Sequence, residues 1–273
     1  MSVRSRRWLA ALTGGLLFCA AGGRASSQDF AGAAPPSAGQ DDAFASLERA
    51  LPPAGRSLTA AVSHTQWWEL RDLETRSAVI GAGWRSARTA LGVSQTGSPE
   101  LGWTALALSA GGAGSDAGAA LRACGRLERD APWSAARALS RDAGLEVGAG
   151  AWLAPANGVR VWASAPQMLV RGLSPPLARP LELGVRVGTA SGVWLLLRSP
   201  RAGDDGERAL GIALEVAPVQ AWAEVRDTPL RGAAGVRARA AALRVDVRVD
   251  AHPVLGETVR VALGWQRDGR GDP

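Results

Sequence analysis

From residue 57 onward, apolar and polar residues alternate with a period of two, the spacing of a half-buried β-strand. The stretch 244–265 is the clearest case. Val245, Val247 and Val249 occupy one phase, and Arg244, Asp246, Arg248 and Asp250 occupy the other. A break at His252-Pro253-Val254-Leu255-Gly256 follows, after which the alternation resumes with Val259, Val261 and Leu263. The pattern predicts about fourteen strands: 57–64, 76–85, 88–95, 101–110, 117–128, 144–154, 158–166, 180–189, 193–199, 208–216, 220–226, 234–239, 242–250 and 257–266. Two helices are expected besides, a short one in residues 41–51 stopped by Pro52-Pro53, and room for another in 131–143.

Alternation alone leaves open which face of the sheet meets water. A soluble sheet turns its charges outward; a membrane barrel turns them inward and shows its aliphatic residues to lipid. The connections discriminate. Short turns alternate with longer segments at 65–75, 129–143, 167–179, 200–207 and 227–233, as in barrels with tight turns on one side and long loops on the other. Charges keep to one phase, where Gly148, Gly150, Gly184, Gly188 and Gly211 also fall. Small residues and paired charges suit a crowded interior better than a solvent face. The fold class expected is therefore all-β, a single transmembrane antiparallel up-and-down barrel of about fourteen strands. The alternative is a soluble exported β-sandwich or barrel acting as a binding or structural module.

Composition sharpens this picture. The 273 residues divide into an expected signal peptide at 1–25, a Pro/Ala/Gly-rich segment at 26–56, the barrel at 57–266 and a tail at 267–273. Arg4, Arg6 and Arg7 precede an apolar run to Ala21, and Gly23-Arg24-Ala25 offers a small-residue cleavage site. Cleavage there would leave Cys124 without a partner for a disulfide, so Cys124 is expected to pack as a small apolar residue. All 31 basic residues are arginine, set singly among 25 acidic ones, which is no phosphate-tracking stripe and excludes nucleic acid as an expected partner.

The chain has 11 tryptophans and no tyrosine, so Trp must fill the interfacial aromatic role. Trp103 and Trp265 read as apolar-phase girdle residues, Trp84 sits at a strand end, and Trp67-Trp68 and Trp133 fall in outer loops. Trp152, Trp162, Trp194 and Trp222 take the polar phase instead. They are candidate ligand-binding residues of a lumenal aromatic cluster, suited to an apolar small molecule or to docking the segment 44–47 as a plug. Arg244, Asp246, Arg248 and Asp250 are the candidate lumenal charges.

Catalysis finds no constellation. His64 and His252 sit at strand ends and could share a rim, but two histidines and one thiol make no metal site, and Asp204-Asp205-Gly206 reads as a polar turn. No phosphate-binding loop or nucleophile elbow is present, so no enzyme activity, catalytic residue, metal or cofactor is expected.

Several segments resemble the PorV/PorQ-like outer-membrane barrels of the FadL-like superfamily. The turn around His252, Pro253, Leu255 and Gly256 is similar to that family's final hairpin, and 62–67 to an early strand and loop; 144–150 and 230–236 fit more loosely. The resemblance implies about fourteen strands, no catalytic residues and an outer-membrane location reached through the signal peptide. Outer-membrane lipid, and either an apolar solute or an export-machinery protein, are the implied partners. The Gly-rich entry segment of that family is missing here, Pro52-Pro53-Ala54-Gly55 being at most a remnant. Transport of a small apolar solute or support of protein export is the function expected.

Overall fold

The computed structural model describes residues 43–52, 57–67, 73–84, 86–97, 102–129, 143–172, 181–189, 191–199, 206–227 and 230–268. The expected signal peptide, most of the 26–56 segment, Trp68, Trp133, Asp204 and Asp205 lie outside these residues, as does the helix expected within 131–143 up to its last position.

One short helix, α1 (Ala43–Arg49), precedes fourteen strands. These are β1 (Ser57–Gln66), β2 (Glu74–Trp84), β3 (Ala87–Gly97), β4 (Gly102–Ala113), β5 (Ala117–Arg129), β6 (Ala143–Ala156), β7 (Val159–Arg171), β8 (Leu181–Val187), β9 (Gly192–Ser199), β10 (Glu207–Val216), β11 (Val219–Asp227), β12 (Leu230–Ala240), β13 (Leu243–His252) and β14 (Gly256–Asp268). Each strand pairs antiparallel with its sequence neighbours, and β1 closes on β14 from Ser57↔Asp268 to Gln66↔Val259. The fold is thus a closed up-and-down barrel without an edge strand.

Residues 57 and 268 lie at one rim, which carries tight turns such as Asn157-Gly158, where Gly158 has φ +74°. The other rim receives the long connections 67–73, 130–142, 172–180 and 200–206. The loop expected at 227–233 is a correction: β11 and β12 run on to pair Asp227 with Leu230, leaving only two residues between them. Arg231 stays in the strand because it faces inward and reaches Glu207. Strand β7 likewise extends past its expected end to Arg171, across a register shift opposite Val147 and Ala149.

The sidedness decides the question left open by alternation. Leu58, Val62, Ile80, Leu106, Leu121 and Leu210 are each at least half exposed, and Val245 and Val247 are about 40 % exposed. On the opposite phase, Arg244, Asp246 and Arg248 are 8 %, 1 % and 4 % exposed. Aliphatic residues cover the outside and charged residues fill the inside, the arrangement of an outer-membrane-type barrel. Trp84 and Trp265 face outward near the rim that holds the termini. Trp103 is a second correction. It pairs with inward-facing Thr96, and the Arg126 guanidinium stacks on its ring at 5.2 Å, so it belongs to the lumen.

Candidate functional site, a plugged lumen

The interior has two unlike walls. Among the described residues, inward positions of β1–β4 are Ser, Thr, Ala, Gly, Val79 and Trp103, with Arg88 the single charge. Their hydroxyls form rows across neighbouring strands: Ser63 to Ser77 at 3.1 Å, and Thr75 to Thr96 at 2.8 Å. The wall from β5 to β14 carries most of the arginines, carboxylates and tryptophans. Small residues on one side leave a recess, and α1 lies in it.

Helix α1 seats its apolar face on that recess. Phe44 and Leu47 are fully buried and cluster with Ala61, Val79, Ala90, Ala105, Ala107 and Cys124. Burying side chains of this size stabilises by about 1.5–3 kcal/mol each. Cys124 has the packing role expected of it. At the helix end, Arg49 pairs with Glu182 at 3.1 Å and its carbonyl accepts from the Ser164 hydroxyl at 2.5 Å. Ala50 then turns the chain with φ +53°, a conformation that costs a non-glycine residue roughly 1 kcal/mol. The Ser46 hydroxyl donates to the Leu51 carbonyl at 2.9 Å, and Trp152 Nε1 donates to the Pro52 carbonyl at 3.1 Å. The barrel accommodates this closely: a Cβ on Gly150 would stand 2.6 Å from the Arg49 carbonyl oxygen.

All four polar-phase tryptophans face the lumen and are almost wholly buried. Each lies over a glycine directly across from it on the next strand: Trp152 on Gly118, Trp162 on Gly184, Trp194 on Gly211 and Trp222 on Gly235. A Cβ on Gly184 or Gly211 would fall 2.1 Å from the indole ring. Gly118, Gly184, Gly211 and Gly235 are therefore beds for indoles, the aromatic rescue of a strand glycine, whereas Gly148 and Gly150 stand close to backbone instead. Trp194 and Trp222 meet edge to face at 6.5 Å. Trp162 Nε1 donates to Glu182 at 3.1 Å and Trp194 Nε1 to Glu224 at 3.0 Å; Arg160 stacks on Trp152 and Arg248 on Trp222.

The expected aromatic cluster thus exists as a belt near the short-turn rim, but it is not an empty pocket. Leu51 packs in it, and Pro52 hydrogen-bonds to it. The plug expected on the belt docks differently: residues 44–47 sit on the alanine face of β1–β5, and only the following residues reach the indoles.

From the belt toward the loop-bearing rim runs a chain of ion pairs that spacing could not reveal. Glu182 joins Arg49 to Arg198 (3.0 Å), Arg198 reaches Glu207 (2.9 Å), Glu207 takes Arg231 and Arg226 (3.6 Å), and Arg226 meets Glu224 (2.6 Å). On β13, Asp246 pairs with Arg244 at 2.9 Å and with Arg237 of β12 at 2.5 Å. Arg248 holds Asp250 through Nε at 2.6 Å. The four sequence-predicted lumenal charges all face inward in these contacts. On the far side of the lumen, Arg122 and Glu146 pair at 3.2 Å, both fully buried. The sequence signal for the ion pairs was phase alone; partners across strands needed the register.

The remaining candidates separate. His252 ends β13, and its Nδ1 accepts from the Val254 and Leu255 amides at 3.2 and 3.1 Å, so the turn at Pro253–Leu255 is tight and Gly256 (φ +87°) opens β14. His64 faces outward beside Glu74 at 3.6 Å. The two histidines have separate local partners. Trp67 turns inward, donating to Thr75 Oγ1 at 2.8 Å under the Arg260 guanidinium, rather than presenting itself to a membrane surface.

No family model matches the chain, and no curated protein matches it. Solved structures with a similar barrel include mutants of the porin of Rhodopseudomonas blastica. One triple mutant is 8 % identical, over 77 % of this chain and 99 % of that one, with a TM-score of 0.42. Another is 9 % identical over the same shares, with a TM-score of 0.41.

Proposed function

We propose that this chain is an exported outer-membrane barrel that acts as a channel for a small solute, held closed by its own residues 43–52. The carrying observation is α1 seated in a recess of small residues inside a barrel whose outer face is aliphatic. Here the filling is a separate segment, held among other contacts by the Arg49–Glu182 ion pair, the hydrogen bonds from Ser164 and Trp152, and the apolar packing of Phe44 and Leu47. The polar lining favours a hydrophilic solute over an apolar one, since the tryptophan belt is already covered by Leu51 and Pro52. Kinship with the PorV/PorQ-like and FadL-like barrels belongs to the same proposal and is supported by the strand number that the resemblance implies. Support of protein export would use the loop-bearing rim and a partner protein there.

The test is conductance and liposome swelling with the mature chain and with a variant lacking 43–52. The deletion variant should fold as a heat-modifiable barrel and pass current and small sugars well above the parent. Equal, negligible permeability of the two would make the molecule a closed structural barrel.

A further inference from the structure

The two walls of the recess share one chemical property. Both present hydrogen-bond donors, and the charged wall is rich in cations. Among the described residues of the barrel strands, nine arginines but only four carboxylates are buried, Arg49 of α1 being a tenth arginine. The excess gathers on β11–β14, where Arg226, Arg231, Arg237, Arg244, Arg248 and Arg260 face inward with Glu224, Asp246 and Asp250. Beside them, across the β1–β14 seam, the hydroxyls of Ser63, Ser77, Thr75 and Thr96 line the small wall, without a carboxylate among the inward residues of β1–β4. Ser94 Oγ is buried on that wall without a hydrogen-bond partner, in line with Ser77 across the ladder.

The plug itself reports on this field. Glu48 of α1 interacts electrostatically with Arg248 and Arg260, placing an anion where the lumen is most cationic. A helix with its side chains is about 10–12 Å across. Its departure therefore opens a conduit between guanidinium groups and hydroxyls; it takes Glu48 and Arg49 together, so the excess of arginine on the barrel wall remains. Rings of arginine select anions, because a cation entering them loses hydration without gaining an opposite charge.

We infer that the unplugged lumen is selective for small hydrophilic anions, the guanidinium wall supplying charge and the hydroxyl wall donating hydrogen bonds. This rests on the channel reading above. The experiment is the reversal potential of the variant lacking 43–52 in planar bilayers under a potassium chloride gradient, repeated with potassium acetate. A several-fold preference for either anion over potassium is expected. Ser77→Asp in the same background places a carboxylate on the hydroxyl wall and should reduce that preference sharply, whereas Ser77→Asn should reduce it less. Heat-modifiable migration checks that both variants fold. A conducting variant with equal permeability or a cation preference overturns the inference and leaves the channel reading standing. A folded variant that passes no current overturns both.

Discussion

At the residue scale, tryptophan and glycine are read together or not at all. A glycine on the inward phase of a strand loses side-chain packing and usually weakens the strand. Here Gly184 and Gly211 are needed because indole rings lie where a Cβ would stand, whereas Gly125 and Gly232 face outward with open space beside them. This sets up a paired prediction. Gly211→Ala should destabilise the folded barrel by about 1–3 kcal/mol, the usual cost of overpacking. Gly232→Ala should be neutral or slightly stabilising, since alanine outperforms glycine in a strand by about 0.5–1 kcal/mol. Urea midpoints of the two variants in detergent check it, and similar midpoints would mean that the belt yields easily.

At the scale of elements, each strand has one aliphatic face outside and one face in the lumen, and α1 has a separate seat. On β13, Val247→Arg should block membrane assembly, at a cost of about 2–4 kcal/mol for a cation near mid-bilayer. The yield of heat-modifiable protein in outer membranes measures it; assembly at the parental level would place that face against protein or water. For α1, Arg49→Ala removes the tie to Glu182, which Arg198 still holds. The barrel should keep its thermal transition while liposome swelling rises to a level between parent and the 43–52 deletion. Swelling at the parental level would assign the hold to the contacts that remain, among them Phe44, Leu47, Glu48 and the hydrogen bonds from Ser164 and Trp152.

At the scale of the whole molecule, closure and filling are distinct. The β1–β14 ladder removes both sheet edges, so each strand pairs with a neighbour on both sides, the closure that a lipid environment demands of a spanning sheet. Filling is left to long side chains on ten strands and to a separate segment against the other four. Loss of β14 should abolish assembly, because two edges and the Ser57↔Asp268 end of the seam would be exposed. Truncation before residue 256, followed by fractionation, checks this; a membrane-inserted product would show closure to be dispensable.

Strand number, antiparallel order and the inward phase of Arg244, Asp246, Arg248 and Asp250 were readable from period and connection length, because side chains alternate strictly along a strand. So were the lumenal positions of Trp152, Trp162, Trp194 and Trp222 and the short helix before the barrel. Trp103 was misread because its strand has small residues on one phase, which look apolar in sequence and line the lumen in fact. The glycine beneath each indole, the chain of pairs from Arg49 to Glu224 and the alanine seat of α1 were not readable. They depend on register between strands and on the closure of β1 against β14, which bring residues far apart in sequence to within a few ångströms. Local alternation set which face each residue takes, and only the closed barrel decided what each face meets.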